Sequence, residues 1–199
     1  MNTPRIAIVV ALSLLLGLPA CTHNVTFHPV KLPEENIRQT DESVKFYMRP
    51  ELVEASHSFR SFLSGIANKW VVDYGARAHE FAVQYLSAAF TEFEEVAEPG
   101  SGADANLEIE HLHYTVSGQA AHVTMDVTAK DSTGSELMSE HYQTRGWAGS
   151  GVLLATGAFG QKGVTRSSTD QAFKEIFLKL IDDLRAALGA DSESPEPAD

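Results

Sequence analysis

The chain has 199 residues, 43% of them hydrophobic, with 15 Lys+Arg against 27 Asp+Glu and a formal net charge of -12. That apolar content supports one domain with a real core. So acidic a body repels nucleic acid and anionic membrane faces, and no basic stripe offsets it, so nucleic acid is excluded as a partner. The single cysteine, Cys21, rules out an internal disulfide.

At the amino terminus, Arg5 precedes an uncharged apolar stretch over residues 6–18 (IAIVVALSLLLGL). It is short for a bilayer span and suits the hydrophobic region of a signal peptide. Leu18-Pro19-Ala20-Cys21 then resembles the bacterial lipobox, a leucine and two mostly small residues before a cysteine, with Pro19 departing from the usual small residue. The resemblance implies that residues 1–20 are a lipoprotein signal peptide and that Cys21 becomes the mature terminus, a diacylglyceryl cysteine that also carries an acyl chain such as palmitate. Each buried methylene contributes about 0.8 kcal/mol, so several chains on one residue anchor stably where one would not. Thr22 rather than aspartate follows, which in enteric-type sorting implies the outer membrane, with the body facing the periplasm.

Residues 21–43 mix Pro29, Pro33, Asn24 and Asn36 with scattered charges and read as a tether, although residues 25–30 could add an edge strand. The domain spans residues 44–189. Residues 43–48 (SVKFYM) read as a strand ended by Pro50; residues 51–69 fit a helix or a strand with a turn; residues 70–74 (WVVDY) read as a short strand with Gly75 marking the turn. Helical spacing of Phe81, Tyr85, Leu86, Ala89 and Phe90 predicts a helix over residues 76–93.

Three strands follow: 107–116 (LEIEHLHYTV), 121–129 (AHVTMDVTA) and 136–145 (ELMSEHYQTR). Gly118 and the Asp131-Ser-Thr-Gly134 stretch supply their turns, giving an antiparallel meander. Ser168-Thr-Asp-Gln171 reads as a capping box, before an apolar stripe of Phe173, Ile176, Phe177, Leu180, Ile181, Leu184 and Leu188 that Gly189 ends. Residues 190–199 (ADSESPEPAD) read as a disordered acidic tail. The fold class is therefore α+β: an antiparallel meander sheet with two amphipathic helices packed on one face.

Cys21, the helix after Gly75, the DSTG turn before the strand bearing Tyr142, and the Ser-Thr-Asp-Gln opening of the last helix resemble the YajG-type family of small envelope lipoproteins. More loosely, the layout of residues 44–188 is similar to the lipoprotein of the lipopolysaccharide-assembly translocon. The resemblance implies a non-enzymatic accessory or scaffold, lipid-anchored through Cys21 in the outer membrane and joined to an envelope complex or to copies of itself.

Two constellations remain. If Leu112, Tyr114 and Val116 point inward, His111 and His113 share the outer face of the meander with His122, Asp126 and His141, and imidazoles on adjacent strands can hold zinc or copper. That is the alternative function: a periplasmic ligand- or metal-binding module, with His111, His113 and His122 as its ligands. The other is the stretch over residues 145–163 (RGWAGSGVLLATGAFGQKG). Lys162 precedes Gly163, so it is no Walker loop; the dinucleotide fingerprint lacks its third glycine; Ala148 stands where a nucleophile elbow needs glycine. Its apolar content points instead to packing on its own core or to a partner contact through Trp147, Leu153, Leu154 and Phe159. The carboxylate pairs Glu94-Glu95, at the end of a helix, and Asp182-Asp183, on a solvated helix face, read as solubility charges. No set of residues fills the nucleophile, base and orienting roles of an enzyme, and no cofactor is implied.

Overall fold

The computed structural model describes residues 22–33, 37–60, 68–148 and 160–189. The signal segment, Cys21, most of the glycine-rich loop and the acidic tail lie outside them. In chain order the elements are β1 (Thr22–Asn24), β2 (Thr40–Met48), α1 (Pro50–Val53), β3 (His57–Arg60), β4 (Lys69–Val72), α2 (Tyr74–Ala89), β5 (Phe90–Glu95), β6 (Ala105–Ser117), β7 (Ala120–Lys130), β8 (Glu136–Trp147) and α3 (Gln161–Leu188).

The architecture is α+β, and the expected meander forms its largest part. β6, β7 and β8 pair antiparallel, with Met125 opposite Leu112 on one side and Tyr142 on the other. Val123, Met125 and Val127 face inward while His122, Thr124, Asp126 and Thr128 face out, as their alternation dictates. The turn before β8 is held by Asp131, whose Oδ1 accepts the N–H groups of Thr133 and Ser135 at 2.8 and 2.9 Å, with Gly134 at φ 89°.

β6 contains a bulge that the alternation of LEIEHLHYTV carries. Leu107 and Ile109 are buried, then Leu112 and Tyr114, so parity switches between Ile109 and His111, where the register against β7 shifts. One extra residue moves the following side chains to opposite faces. Leu112 and Tyr114 therefore join the core, and His111 and His113 are exposed.

The sheet is mixed rather than purely antiparallel. Its order is β5-β2-β6-β7-β8, and β2 runs parallel to both β5 and β6. The expected helix over residues 76–93 stops at Ala89; Phe90 turns extended (φ -125°, ψ 132°) and opens β5. A strand that follows a helix crossing over the sheet returns parallel to the first strand. Glu94 and Glu95 thus lie on an edge strand and not at a helix end, and charges on an edge discourage pairing with another chain.

α2 and α3 cover one face of this sheet. Phe81 and Tyr85 of α2 meet Phe173 and Phe177 of α3, with Phe81 and Phe173 ring centroids 5.8 Å apart. α3 begins at Gln161, two turns before the expected start, so Ser168 is no cap: its Oγ donates to the Thr165 carbonyl at 3.1 Å, inside the helix. Thr165, Ser168, Thr169 and Ala172 are buried, Ser168 and Ala172 close against Gly146 of β8 and Thr169 bonded to Tyr114 of β6, and this burial extends the helix where propensity would not. Gly189 closes the helix in the left-handed conformation, φ 76°. Gly75 lies inside α2 and not in a turn. A Cβ there would stand 1.9 Å from the Leu52 carbonyl oxygen, so its role is close backbone approach to α1.

Residues 51–69 resolve in part into α1 and β3. β3 pairs antiparallel with β4, and β1 lies parallel on the other side of β4, making a second sheet of order β1-β4-β3. The tether reading therefore does not fit the described part of residues 21–43. Thr22–Asn24 is an edge strand, Val25 is buried, and Phe27, Val30 and Ile37 pack on the core. The sequence offers at most an edge strand over residues 25–30; the strand that forms is Thr22–Asn24, and burial fixes the described residues after it.

Candidate functional site

Two arginines stand on otherwise apolar helix faces, and each is buried. Arg77 lies four residues before Phe81 on α2; Arg185 lies four residues after Ile181 on α3. Helical spacing gave the signal for both, since a cation on a buried stripe must be paired or must wait for a partner.

Arg77 is fully engaged. Its Nε donates to Asp170 Oδ1 at 2.8 Å, and its Nη1 donates to the His28 carbonyl at 2.8 Å and to Glu80 Oε2 at 2.6 Å. Its guanidinium stacks between Phe27 and Phe81, 4.9 Å from each ring centroid. Glu80 Oε1 in turn accepts the Val30 N–H at 2.9 Å, and Arg166 donates to His28 Nε2 at 2.7 Å. One buried arginine thus clamps the segment over residues 27–30 onto both long helices. Burial pushes the Asp170 carboxyl above the ordinary carboxylate range, against the opposing pull of Arg77.

Beside this clamp lies a pocket of about 320 Å³ lined by His28, Arg77, Phe81, Tyr85, Asp170 and Lys174, among others. The buried Tyr85 hydroxyl has no hydrogen-bond partner among the described residues, and burial raises its pKa, with the Asp170 charge adding to the effect. A larger groove of about 670 Å³ adjoins it through the shared Lys31 and Lys174. Arg38, Asp182 and Arg185 also line that groove, between residues 31–33 and 37–38 on one side and α3 on the other.

The histidine face forms only in part. Asp126 is bracketed by His141, whose Nδ1 lies 2.5 Å from its Oδ1, and by His111, 3.6 Å away. His113 stands opposite Thr124, and His122 opposite Thr115 and Arg145, so His111, His113 and His122 do not converge. Among the described residues no three His, Cys, Asp or Glu side chains are placed to hold a metal ion. The Asp126 pairs are exposed and contribute little to stability.

Trp147 ends β8 with 49% of its surface exposed, its backbone N–H donating to Gln171 Oε1 at 3.0 Å and the Arg145 guanidinium 4.8 Å over its ring. Leu153, Leu154 and Phe159 lie outside the described residues. Sequence reasoning missed the groove because its wall is the supposed tether, folded back on the body.

No family model matches the sequence, and no curated protein matches it. In fold, the chain resembles a DUF330 protein. Protein XCC0632 of Xanthomonas campestris, of the DUF330 family, superposes with a TM-score of 0.50 over 88% of this chain and 100% of its own, at 12% identity. An uncharacterized protein gives a TM-score of 0.43 at 10% identity, over 82% of this chain and 97% of its own. The hypothetical protein CT253 of Chlamydia trachomatis gives 0.38 at 12% identity, over 74% and 99%. Identity this low speaks to the fold alone.

Proposed function

We propose that this chain is a lipid-anchored envelope lipoprotein of the YajG type, held at the periplasmic face of the outer membrane through Cys21. It acts without catalysis, as an accessory or scaffold within an envelope assembly or export complex. The observation that carries the reading is Leu18-Pro19-Ala20-Cys21 at the end of a signal-like apolar segment. The packing of the next residues supports it. Thr22 already pairs with Lys69, and the Arg77 clamp holds residues 27–30 on the helices, so a lipid on Cys21 sets the folded body close against the bilayer. Among the described residues no helix is long and apolar enough to cross a membrane. Exposed Trp147 offers the partner an aromatic anchor at the end of the sheet.

Fractionation of cells expressing the wild-type chain and Cys21→Ser tests this reading. The wild type is expected in outer-membrane fractions, resisting salt and alkaline washes and yielding to detergent; the variant is expected to leave that fraction. A wild-type chain that washes off with salt would overturn the reading.

A further inference from the structure

We propose that the end of the β1-β4-β3 sheet nearest Cys21 is a docking surface for anionic phospholipid headgroups, gripped by Arg60 and Lys69. The inference deepens the proposed function and rests on attachment through Cys21. In the register of the small sheet Thr22 stands opposite Lys69, and Lys69 opposite Arg60, so these residues form one row across it. Partners in a row point to the same face, and all three are exposed. β1 runs parallel to β4, so its first residue lies at the end where β4 begins and β3 stops. Cys21 is joined to Thr22 by one peptide bond. The anchored residue and the two cations therefore belong to the same end of the sheet, on strands spaced about 4.8 Å apart.

The pairing of Arg60 with Lys69 is unfavourable by itself, since like charges directly opposite on adjacent strands repel. Nothing in the described fold relieves it. No described carboxylate forms an ion pair with either side chain. The three strands contain no Asp or Glu, although the chain has 27. The carboxylates that flank β3 and β4 in the chain, Glu54 and Asp73, lie beyond the opposite end of the sheet, where His57 pairs with Val72. The body as a whole carries -12 and repels anionic membrane, yet around this sheet charge is segregated, with the cations at the anchored end. Two adjacent cations without a carboxylate match the phosphates of neighbouring headgroups, and a lipid on Cys21 brings those headgroups to them. Attachment through one residue leaves the body free to tilt. Two charge contacts beside it fix the tilt, with the Thr22–Lys69–Arg60 row against the bilayer and α1 away from it.

The test uses the chain beginning at Cys21, which keeps every described residue and has one thiol. A maleimide lipid couples that thiol to vesicles of phosphatidylcholine, either alone or with phosphatidylglycerol added, so the outcome does not depend on lipidation in cells. Acetylation of lysines by a water-soluble ester is then followed by mass spectrometry. On the anionic vesicles Lys69 is expected to react at least about fivefold more slowly than on the neutral ones, the factor equivalent to one basic contact with such a surface. High salt is expected to abolish the difference. Lys179, on α3, is expected to react equally on both. Arg60→Gln changes an exposed side chain and removes a like-charge neighbour, so it is expected to return Lys69 most of the way to its neutral-vesicle rate without lowering the urea midpoint. Equal Lys69 rates on the two vesicles would refute the docking surface. So would slowing that Arg60→Gln leaves intact, or equal slowing of Lys179. The mass of the amino-terminal peptide from cells reports on Cys21 lipidation separately, so either claim can fail without the other.

Discussion

Gly146 on β8 and Ser168 on α3 meet backbone to backbone: a Cβ on Gly146 would stand 1.8 Å from the Ser168 carbonyl oxygen and 2.7 Å from the Ala172 nitrogen. Neither atom belongs to a side chain that can rotate away, so the helix or the strand itself must shift. Forcing extra volume into a close-packed interior costs about 1–3 kcal/mol, occasionally more. Gly146→Ala is therefore expected to lower the urea midpoint by the equivalent of at least about 2 kcal/mol. Ser168→Ala, which keeps the contact and loses one hydrogen bond, is expected to cost about 1 kcal/mol. Equal effects would mean that the helix can slide.

Arg77→Met removes the clamp and leaves the His28 carbonyl and the Asp170 carboxylate without their donor. Breaking a buried charge pair on one side costs on the order of 3–5 kcal/mol, although Asp170 keeps about a third of its side-chain surface, which places this case at the low end. Hydrogen exchange is expected to quicken at Val30, whose N–H is held by Glu80. Unchanged protection there would show that Phe27 and Val30 hold the segment by packing alone.

His57 sets a pH dependence. Its ring packs against Phe59 and edge-on to Tyr114, and burial, with the charge of His113, holds its pKa below the ordinary 6.5. The unfolded chain binds this proton at the higher pH, so stability rises with pH across the window. The contribution is complete above 6.5 and is lost as pH falls through the depressed folded value. Urea unfolding from pH 8 to pH 5 is expected to show a steeper acid loss in the wild type than in His57→Phe, and parallel curves would reject the assignment.

Much of this fold is legible in the residues, and the exceptions have physical causes. The meander is written in the alternation of AHVTMDVTA, in Gly118 and Gly134, and in the parity switch between Ile109 and His111. The second half of α3 is written in its apolar stripe. β5 was hidden because Phe90 and Phe93 continue the helical spacing of Phe81 and Leu86, while the strand's own polar residues reflect its place at an edge. The first turns of α3 were hidden because Gly163, Thr165, Ser168 and Thr169 are weak helix formers, and the close approach of Ser168 to Gly146 that favours the helix is not written in local spacing. The histidines were legible as a face but not as a site: strand register, which spacing along one strand does not give, sets Asp126 between His111 and His141 and sends His122 toward Arg145.

Trp147→Ala separates a partner contact from a packing role. The exposed ring loses its stacking with Arg145, about 0.5–1 kcal/mol at a surface site. Thermal stability is expected to change by less than about 1 kcal/mol, while cross-linked complexes formed in native membranes disappear. A large loss of stability would assign the ring to the fold.

Mass spectrometry of the amino-terminal peptide from membrane-extracted protein decides whether this body is lipid-held. A peptide beginning at Cys21 and heavier by a diacylglyceryl group and a further acyl chain is the result required. A peptide carrying a free Cys21 thiol, or one that begins elsewhere, would contradict it.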